Sequence, residues 1–415
     1  MGEMRTLIKN IKKLVGVESL PHPYLWGSHM DSIHCIDHAW LLIEDQTIHS
    51  FGSMKDNCPF NYDQMVDATG KMVLPCFCDS HTHIVYAGSR EQEFVDKLKG
   101  MSYIEIAKRG GGILNSAERL HHTTEDELFE QAMLRVDEMI RFGTGAIEIK
   151  SGYGLSLEDE LKMLRVIHRI KNATPATIKA TFLGAHAVPA AYKGRQSEYV
   201  DLIINDMIPA IAKEGLADFI DVFCDEGFFT VEETDRMLKA AAKYDIDPKI
   251  HANELACSGG IQVGVANRAL SVDHLEFTGD PEIEVLQDSI TMPTLLPGAA
   301  FFLGMEYPPA RKMIDAGLPV ALASDYNPGS SPSGNMKFIL SLACIKMKMT
   351  PVEAINAATI NSAYAMGVSY EHGSIAKGKL ANLIITKPIP SLEYIPYAYT
   401  SDLIDQVMLK GDFYN

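Results

Sequence analysis

Short segments of alternating apolar and polar residues occupy both ends of the chain. Near the N-terminus they include residues 40–43 and 47–51, separated by Asp, Gly and Asn, and near the C-terminus residues 381–386 and 403–409. Such alternation between turn residues is typical of β-strands. We therefore expect residues 1–68 and 376–415 to form one small composite β-sandwich domain from both chain ends.

The middle of the chain, residues 69–375, follows a different pattern. Apolar runs of strand length alternate there with amphipathic segments of helical length, which predicts βα units and a parallel sheet. The helical segments include 125–142, 157–173, 197–214 and 231–244. Eight candidate strands end near His83, Lys150, His186, Asp225, Asn253, Glu276, Leu295 and Asp325. Eight such units predict an α/β fold, a (β/α)₈ TIM-like barrel.

Histidines and an aspartate lie where several of these strands end. Side chains two apart on a strand share a face, so His81 and His83 can both point into the barrel. His251, His274 and Asp325 also fall at C-terminal strand ends, where barrel active sites are built. Imidazole and carboxylate groups bind zinc and similar divalent ions. We predict that His81, His83, His251 and Asp325 bind one divalent metal ion.

Four sequence strings carry a family resemblance. Residues 79–83, Asp-Ser-His-Thr-His, resemble the opening motif of the amidohydrolase superfamily, and the resemblance extends over essentially the whole chain. Residues 147–154, 183–189 and 324–330 resemble, more specifically, the imidazolonepropionase family of histidine breakdown. The resemblance implies hydrolytic opening of 4-imidazolone-5-propanoate to N-formimidoyl-L-glutamate by a metal-activated water.

The resemblance also implies roles for individual residues. The planar fork of Arg90 suits the propionate tail of the substrate. The full set of expected substrate contacts is Arg90, Tyr153, His186, Glu254, Asn327, Gly329 and Ser330. Asp325, His274 and Glu254 are the catalytic candidates, and which of them is the general base stays open. His274 could instead be a packed core histidine, and Glu254 an ion-paired carboxylate at a helix start.

The metal count follows from a lysine that is missing. Two-metal members of the superfamily use a carboxylated lysine at the end of the fourth strand, and residues 219–226 contain none. A single ion is therefore expected, with zinc and iron both open. Lys150 ends the second strand and could form a salt bridge or contact substrate. Cys76 and Cys78 depart from the family's Pro-Gly-Phe pattern, and we expect them to pack as small apolar residues.

Composition narrows the possible partners. The net charge of −17 disfavours nucleic acid. Seven cysteines without a small-scaffold spacing indicate a reducing compartment, and Pro293 and Pro297 interrupt the longest uncharged run, so no membrane segment is expected. We expect a cytoplasmic enzyme acting on a small molecule with a carboxylate tail, and the resemblance implies a homodimer.

Two other functions fit part of this pattern. Another mononuclear amidohydrolase, such as a cytosine or guanine deaminase, would share the metal ligands but lack the set Arg90, Tyr153 and His186. A non-catalytic barrel acting as a binding protein would usually have lost ligands, and none is missing. Tyr103 and the run Gly110–Gly112 lie in the connection after the first strand, and the sequence assigns them no role.

Overall fold

A computed structural model describes residues 4–19, 22–101 and 111–414 of the chain. The strands of this described part are β1 (Arg5–Val15), β2 (Cys35–Glu44), β3 (Thr47–Ser53), β4 (Gln64–Asp67), β5 (Met72–Pro75), β6 (Phe77–Asp79), β7 (Thr144–Lys150), β8 (Thr177–Ala185), β9 (Phe219–Cys224), β10 (Asp247–Ala252), β11 (Ser271–His274), β12 (Met292–Leu295), β13 (Ala321–Leu322), β14 (Leu383–Thr386), β15 (Ile404–Leu409) and β16 (Asp412–Tyr414).

Strands β6 to β13 form the parallel barrel. Each pairs with the next along the chain, in the order β6-β7-β8-β9-β10-β11-β12-β13. A parallel bridge between Thr82 and Tyr326, with the His83 amide donating to the Tyr326 carbonyl at 2.9 Å, brings the last strand beside the first. The predicted (β/α)₈ fold class is confirmed, and each barrel strand ends at the predicted residue or up to four residues before it.

The helices lie between and after these strands. The α-helices are Glu91–Leu98, Ile113–His121, Glu125–Arg141, Leu157–Ala173, Gln196–Leu202, Ile208–Glu214, Val231–Ala241, Gly260–Ala266, Asp280–Gln287, Pro297–Leu303, Ala310–Asp315, Met336–Met347, Pro351–Asn356, Ser362–Ala365 and Tyr394–Tyr397. Short 3₁₀ segments are Gly27–Asp31, Ala190–Tyr192 and Ala242–Tyr244, and π-helical turns are Ile203–Met207 and Ala357–Asn361. The segment predicted at 197–214 is helical throughout but contains one of these π turns. No helix in the described ranges is long and apolar enough to cross a membrane.

The remaining strands join the two chain ends in one mixed sheet, in the order β16-β15-β14-β5-β1-β2-β3 with β4 also on β1. Apolar side chains from both halves of this sheet, among them Ile8, Leu41 and Leu383, pack into a cluster of their own. The division into 1–68 with 376–415 and 69–375 stays a prediction.

One strand near that division lies in a different sheet from the one expected. Met72–Pro75 falls within the predicted barrel range 69–375, but as β5 it pairs with β1 and β14. Every residue of β5 is buried, so its apolar pattern fits either sheet equally well. The chain changes sheet between Pro75 and Phe77.

The two cysteines beside the first motif are packing residues, as expected. Cys76 belongs to the main apolar cluster, and Cys78 packs with Ala146, Ala363 and Met366. Both thiols are free and buried, and burial raises the pKa of each. A thiol with a raised pKa is a poor metal ligand at neutral pH.

Candidate active site

The predicted metal ligands converge at the C-terminal end of the barrel. His81 and His83 follow β6, His251 lies in β10, and Asp325 follows β13. The Nε2 atoms of His81 and His83 lie 3.2 Å apart, and Oδ1 of Asp325 is 3.6 and 3.5 Å from them. One nitrogen of His251 lies within 4.8 Å of the other two imidazoles.

The state of these imidazoles suits a metal. Burial lowers the pKa of His81 and of His83 well below the ordinary value, so both rings are neutral. A neutral imidazole offers a lone pair, which is the form that binds a divalent ion. Three imidazoles and one carboxylate, almost completely buried, therefore fit the single ion that the sequence predicts.

Buried carboxylates contact two of the predicted ligands on the side of the ring that faces away from the candidate metal site. Nδ1 of His81 hydrogen-bonds Oδ2 of Asp273 at 2.6 Å, and Nδ1 of His251 lies 2.9 Å from Oδ2 of Asp221. These contacts leave the Nε2 side of each ring facing the candidate metal site. The sequence analysis assigned no role to Asp221 or Asp273, although a carboxylate inside an apolar strand such as β9 signals a buried partner.

Asp325 is oriented by its own loop. Its backbone is left-handed, with φ 55°, and its amide donates to the His81 carbonyl at 3.1 Å. The Ser330 hydroxyl donates to Oδ2 at 2.7 Å, which leaves Oδ1 toward the imidazoles. A non-glycine residue in this conformation costs energy and is typical of functional sites.

The sequence left open whether Lys150 forms a salt bridge or contacts substrate, and its position decides between the two. The side chain is fully buried, and its ammonium lies 2.6 Å from Glu148 and 2.8 Å from Asp221. It is not among the residues that line the cavity described below. Lys150 therefore forms ion pairs beneath the metal ligands rather than contacting substrate.

A cavity of about 470 Å³ opens above the ligands. All the predicted substrate contacts line it, together with three of the four predicted metal ligands and His274. Its other lining residues are Lys97, Ile113, Phe223, Phe228, Leu255, Leu303 and Met305. None of these was predicted, because the apolar ones resemble core residues in the sequence and Lys97 resembles an ordinary helix-surface lysine. Tyr103 and Gly110 lie outside the described residues.

Arg90 and Gly329, on the loops after the first and last barrel strands, line the part of this cavity that we call its mouth. The Nε and Nη2 atoms of Arg90 donate to Oε2 of Glu93 at 2.9 and 2.6 Å. Oε1 of Glu93 accepts the Gly112 amide at 3.0 Å, just before the helix Ile113–His121. A Cβ added at Gly329 would lie 2.2 Å from Nη1, so this glycine lets the guanidinium sit against the backbone. Glu93 was missed by the sequence analysis.

The loop after Asp325 is shaped by its own polar side chains. Oδ1 of Asn327 accepts the amides of Gly329 and Ser330 at 2.7 and 2.9 Å. Its Nδ2 donates to the Asp325 carbonyl at 3.0 Å. Asn327 and Ser330, predicted as substrate contacts, thus also hold the loop that presents Asp325.

Tyr153 and His186 form one wall. The His186 ring stacks on His83, with centroids 5.2 Å apart and planes at 16°, and its Nδ1 contacts the Gly152 carbonyl at 3.0 Å. Burial lowers the pKa of His186 to about 3, so the ring is neutral. Burial also raises the pKa of the Tyr153 hydroxyl, which stays protonated and can donate a hydrogen bond.

His274 and Glu254 face each other across the cavity floor. Nε2 of His274 lies 3.7 Å from Glu254, and Nδ1 lies 3.8 Å from the buried Glu276, a residue not predicted. Burial lowers the pKa of His274, but Glu254 and Glu276 outweigh it and raise the pKa to about 10. Burial raises the pKa of Glu254 to about 7. The backbone at His274 is left-handed, with φ 84°. His274 lines the cavity, unlike an ordinary core histidine.

Comparison with known proteins shows the family. A model of the amidohydrolase family matches residues 72–413. The imidazolonepropionases of Christiangramia forsetii and Flavobacterium johnsoniae are 55% and 56% identical over 408 residues, covering 98% of this chain and 99% of each relative. This chain belongs to the imidazolonepropionase family. The imidazolonepropionase of Alkaliphilus oremlandii is 42% identical, covering 97% of this chain and 96% of the relative.

Solved structures place the imidazolonepropionase-family chain within a widely used fold. A triazine hydrolase variant superposes with a TM-score of 0.76 at 15% identity, covering 99% of this chain and 94% of the other. E. coli guanine deaminase gives a TM-score of 0.74 at 14% identity, covering 99% of both chains. Identities this low show a shared fold and leave the substrate to the site. Family and fold together make the chain a hydrolytic enzyme.

Proposed function

We propose that the chain hydrolyses 4-imidazolone-5-propanoate to N-formimidoyl-L-glutamate in histidine breakdown. Water adds to the ring carbonyl carbon, the ring amide C–N bond breaks, and the ring nitrogen takes up a proton. The observation that carries the proposal is the arginine fork of Arg90, fixed by Glu93 at the mouth of a cavity whose floor bears the metal ligands. A purine or pyrimidine base has no carboxylate for that fork.

The substrate would span the cavity from mouth to floor. Arg90 binds the propionate carboxylate through charge-assisted hydrogen bonds. Tyr153, a hydroxyl donor, and His186, a neutral ring, line the wall along which the tail and ring lie. The apolar side chains Phe223 and Met305 exclude water from the ring, which strengthens the polar contacts inside the cavity.

The floor supplies the chemistry. His81, His83, His251 and Asp325 would hold a divalent ion, which would supply the positive charge needed to activate water and to polarise a carbonyl. Nε2 of His274 donates a hydrogen bond to the carbonyl oxygen as negative charge develops there. Glu254 accepts the proton of the attacking water and passes it to the leaving ring nitrogen. Asp325 supplies the one carboxylate among these ligands and would offset part of the positive charge of the ion.

Several finer points belong to the same proposal. The ion is zinc or iron, since three imidazoles and one carboxylate suit both. The enzyme works as a homodimer in the cytoplasm, on a small molecule rather than on nucleic acid or a membrane. Elemental analysis, sedimentation velocity and cell fractionation test these points separately.

The direct test is a substrate comparison. The purified protein is mixed with freshly prepared imidazolonepropanoate, cytosine or guanine, and ring opening and ammonia release are followed in parallel. We expect rapid opening of the imidazolone and no ammonia from either base. Deamination of a base without imidazolone turnover would overturn the proposal in favour of a deaminase. An absence of bound metal with no turnover of any of the three would favour a binding protein.

A further inference from the structure

A cluster of buried charges lies directly beneath the candidate metal site. Its members are Glu148, Lys150, Asp221, Lys249 and Asp273, all with fully buried side chains on neighbouring barrel strands. Two ammonium groups face three carboxylates. Burying ions to this degree costs free energy unless each ion is paired. We therefore ask which contacts of the cluster serve the neighbouring metal site.

Lys150 touches the carboxylates that hold the metal-binding histidines. Its ammonium lies 2.8 Å from Oδ2 of Asp221 and 3.7 Å from Oδ2 of Asp273. These are the same oxygens that contact Nδ1 of His251 and Nδ1 of His81, at 2.9 and 2.6 Å. One ammonium group therefore connects two ligand histidines through two carboxylates.

The other oxygen of each carboxylate is also engaged. Oδ1 of Asp221 accepts the backbone amide of His251 at 3.0 Å, and Oδ1 of Asp273 accepts the Ser271 hydroxyl at 2.5 Å. The backbone amide of Lys150 donates to the Thr82 carbonyl at 2.8 Å, between the two histidines of the first motif. Lys150 thus contacts the supports of three ligands, through its side chain and its main chain.

We propose that Lys150 is a positioning residue for the metal centre, whose ammonium aligns Asp221 and Asp273 so that His251 and His81 present Nε2 to the ion. Without it, the two carboxylates would remain buried without their shared cation. They would turn away or take up protons, and the histidines would lose their fixed orientation. The proposal rests on the proposed metal site and adds the group that organises it.

Lys249 offers a matched control within the same cluster. It is equally buried, and among the described residues its ammonium forms an ion pair only with Glu148. Its other contacts are the carbonyls of Ser80 and Ala365, at 2.9 and 3.1 Å. Replacing Lys249 therefore removes a buried charge of the same kind that forms no ion pair with Asp221 or Asp273, although its charge also acts on Asp273 from a greater distance.

The experiment measures metal affinity rather than turnover. The full-length apoprotein and its Lys150→Met and Lys249→Met variants are titrated with Zn²⁺ against a chelator at fixed pH, and each apoprotein's unfolding is measured by circular dichroism. Loss of a group behind a metal ligand typically weakens affinity about 10- to 100-fold. We expect a loss of that size for Lys150→Met and a clearly smaller loss for Lys249→Met, with the two variant apoproteins similar to each other in stability.

A milder variant covers the case in which Lys150→Met does not fold. Lys150→Gln keeps a hydrogen-bond donor without the charge, and its Co²⁺-loaded form reports the ligand geometry through visible absorption bands. We expect altered bands for Lys150→Gln and native bands for Lys249→Gln. Native bands and native Zn²⁺ affinity in the Lys150 variants would overturn the inference. Equal losses of Zn²⁺ affinity in the Lys150 and Lys249 variants would also overturn it, because removing any buried charge would then have the same effect.

The same titration separates this inference from the proposed function. If the unmodified protein binds Zn²⁺ tightly and the Lys150 variants do so equally, the positioning role fails while the hydrolase proposal stands. If the unmodified protein binds neither Zn²⁺ nor Co²⁺, both fail.

Discussion

The floor and the mouth of the cavity are built by different parts of the chain. At the floor, His81, His83 and His251 lie in or beside barrel strands, and buried carboxylates contact Nδ1 of His81 and of His251. At the mouth, Arg90 stands at the start of the helix Glu91–Leu98, and its fork is held by Glu93 three residues later and by the backbone at Gly329. The floor depends on contacts between strands, the mouth on contacts between loops.

This difference assigns different tasks to the two regions. Strands of a closed barrel move little, which suits an ion that needs fixed ligand geometry. Loop and helix-start residues can differ between relatives without disturbing the barrel, which suits selection of a substrate tail. We therefore expect changes at the floor to reduce kcat and changes at the mouth to raise KM.

The largest effect is expected from Asp325→Asn at the floor. The amide cannot supply the ligand charge, so kcat should fall by about 10³-fold or more. The thermal midpoint and circular dichroism should show an intact fold. Asp288→Asn, at an exposed position after the helix Asp280–Gln287, is the control and should keep full activity. Normal turnover in Asp325→Asn would show that Asp325 is not part of the catalytic centre.

Glu254→Gln should come next. Its carboxylate is not a predicted ligand, so the variant should bind metal normally but lose proton transfer, lowering kcat by about 10²- to 10³-fold. Metal content and kcat are measured on the same preparation. Glu226→Gln changes an exposed carboxylate just after β9 and should have no effect. A loss of metal together with activity would mean that Glu254 supports the ion instead.

At the mouth, Arg90→Ala should raise KM about 10- to 100-fold with a smaller change in kcat, since hydrogen bonds to a charged group contribute about 1.5–3 kcal/mol. Arg90→Lys keeps the charge without the fork and should recover part of the loss. Steady-state kinetics with the imidazolone separates the two constants. An unchanged KM in Arg90→Ala would show that Arg90 does not bind the substrate carboxylate. The proposed contrast between the floor and the mouth would then be wrong as well.

The floor and the mouth also differ in how far the sequence predicts them. The predicted ligands His81, His83, His251 and Asp325 follow from strand periodicity, because side-chain direction repeats every two residues and barrel strands end at one face. Asp221 and Asp273 sit on the same strands, but which histidine each meets depends on pairing between distant segments. The sheet switch at Met72–Pro75 was missed for the same reason, since a fully buried run fits either sheet.

Glu93 shows the same limit at the mouth. A carboxylate three residues after an arginine on a helix is usually a solvated pair, and nothing local indicates that it also binds the Gly112 amide. Motif resemblance predicts Arg90, Tyr153 and His186 as substrate contacts, but it does not indicate the residue that orients the guanidinium of Arg90. Supporting residues of this kind become visible only when the chain is folded.

The smallest effect, and the sharpest test of the mouth, is expected from Glu93→Gln. The amide oxygen can still accept the Gly112 amide, but the charged contact with both Arg90 nitrogens is lost, so KM should rise about 3- to 10-fold. In the Arg90→Ala background the same change should add nothing further, because Glu93 acts through the fork. A double-mutant cycle measures that coupling. Additive increases in KM would show that Glu93 acts on substrate independently of Arg90.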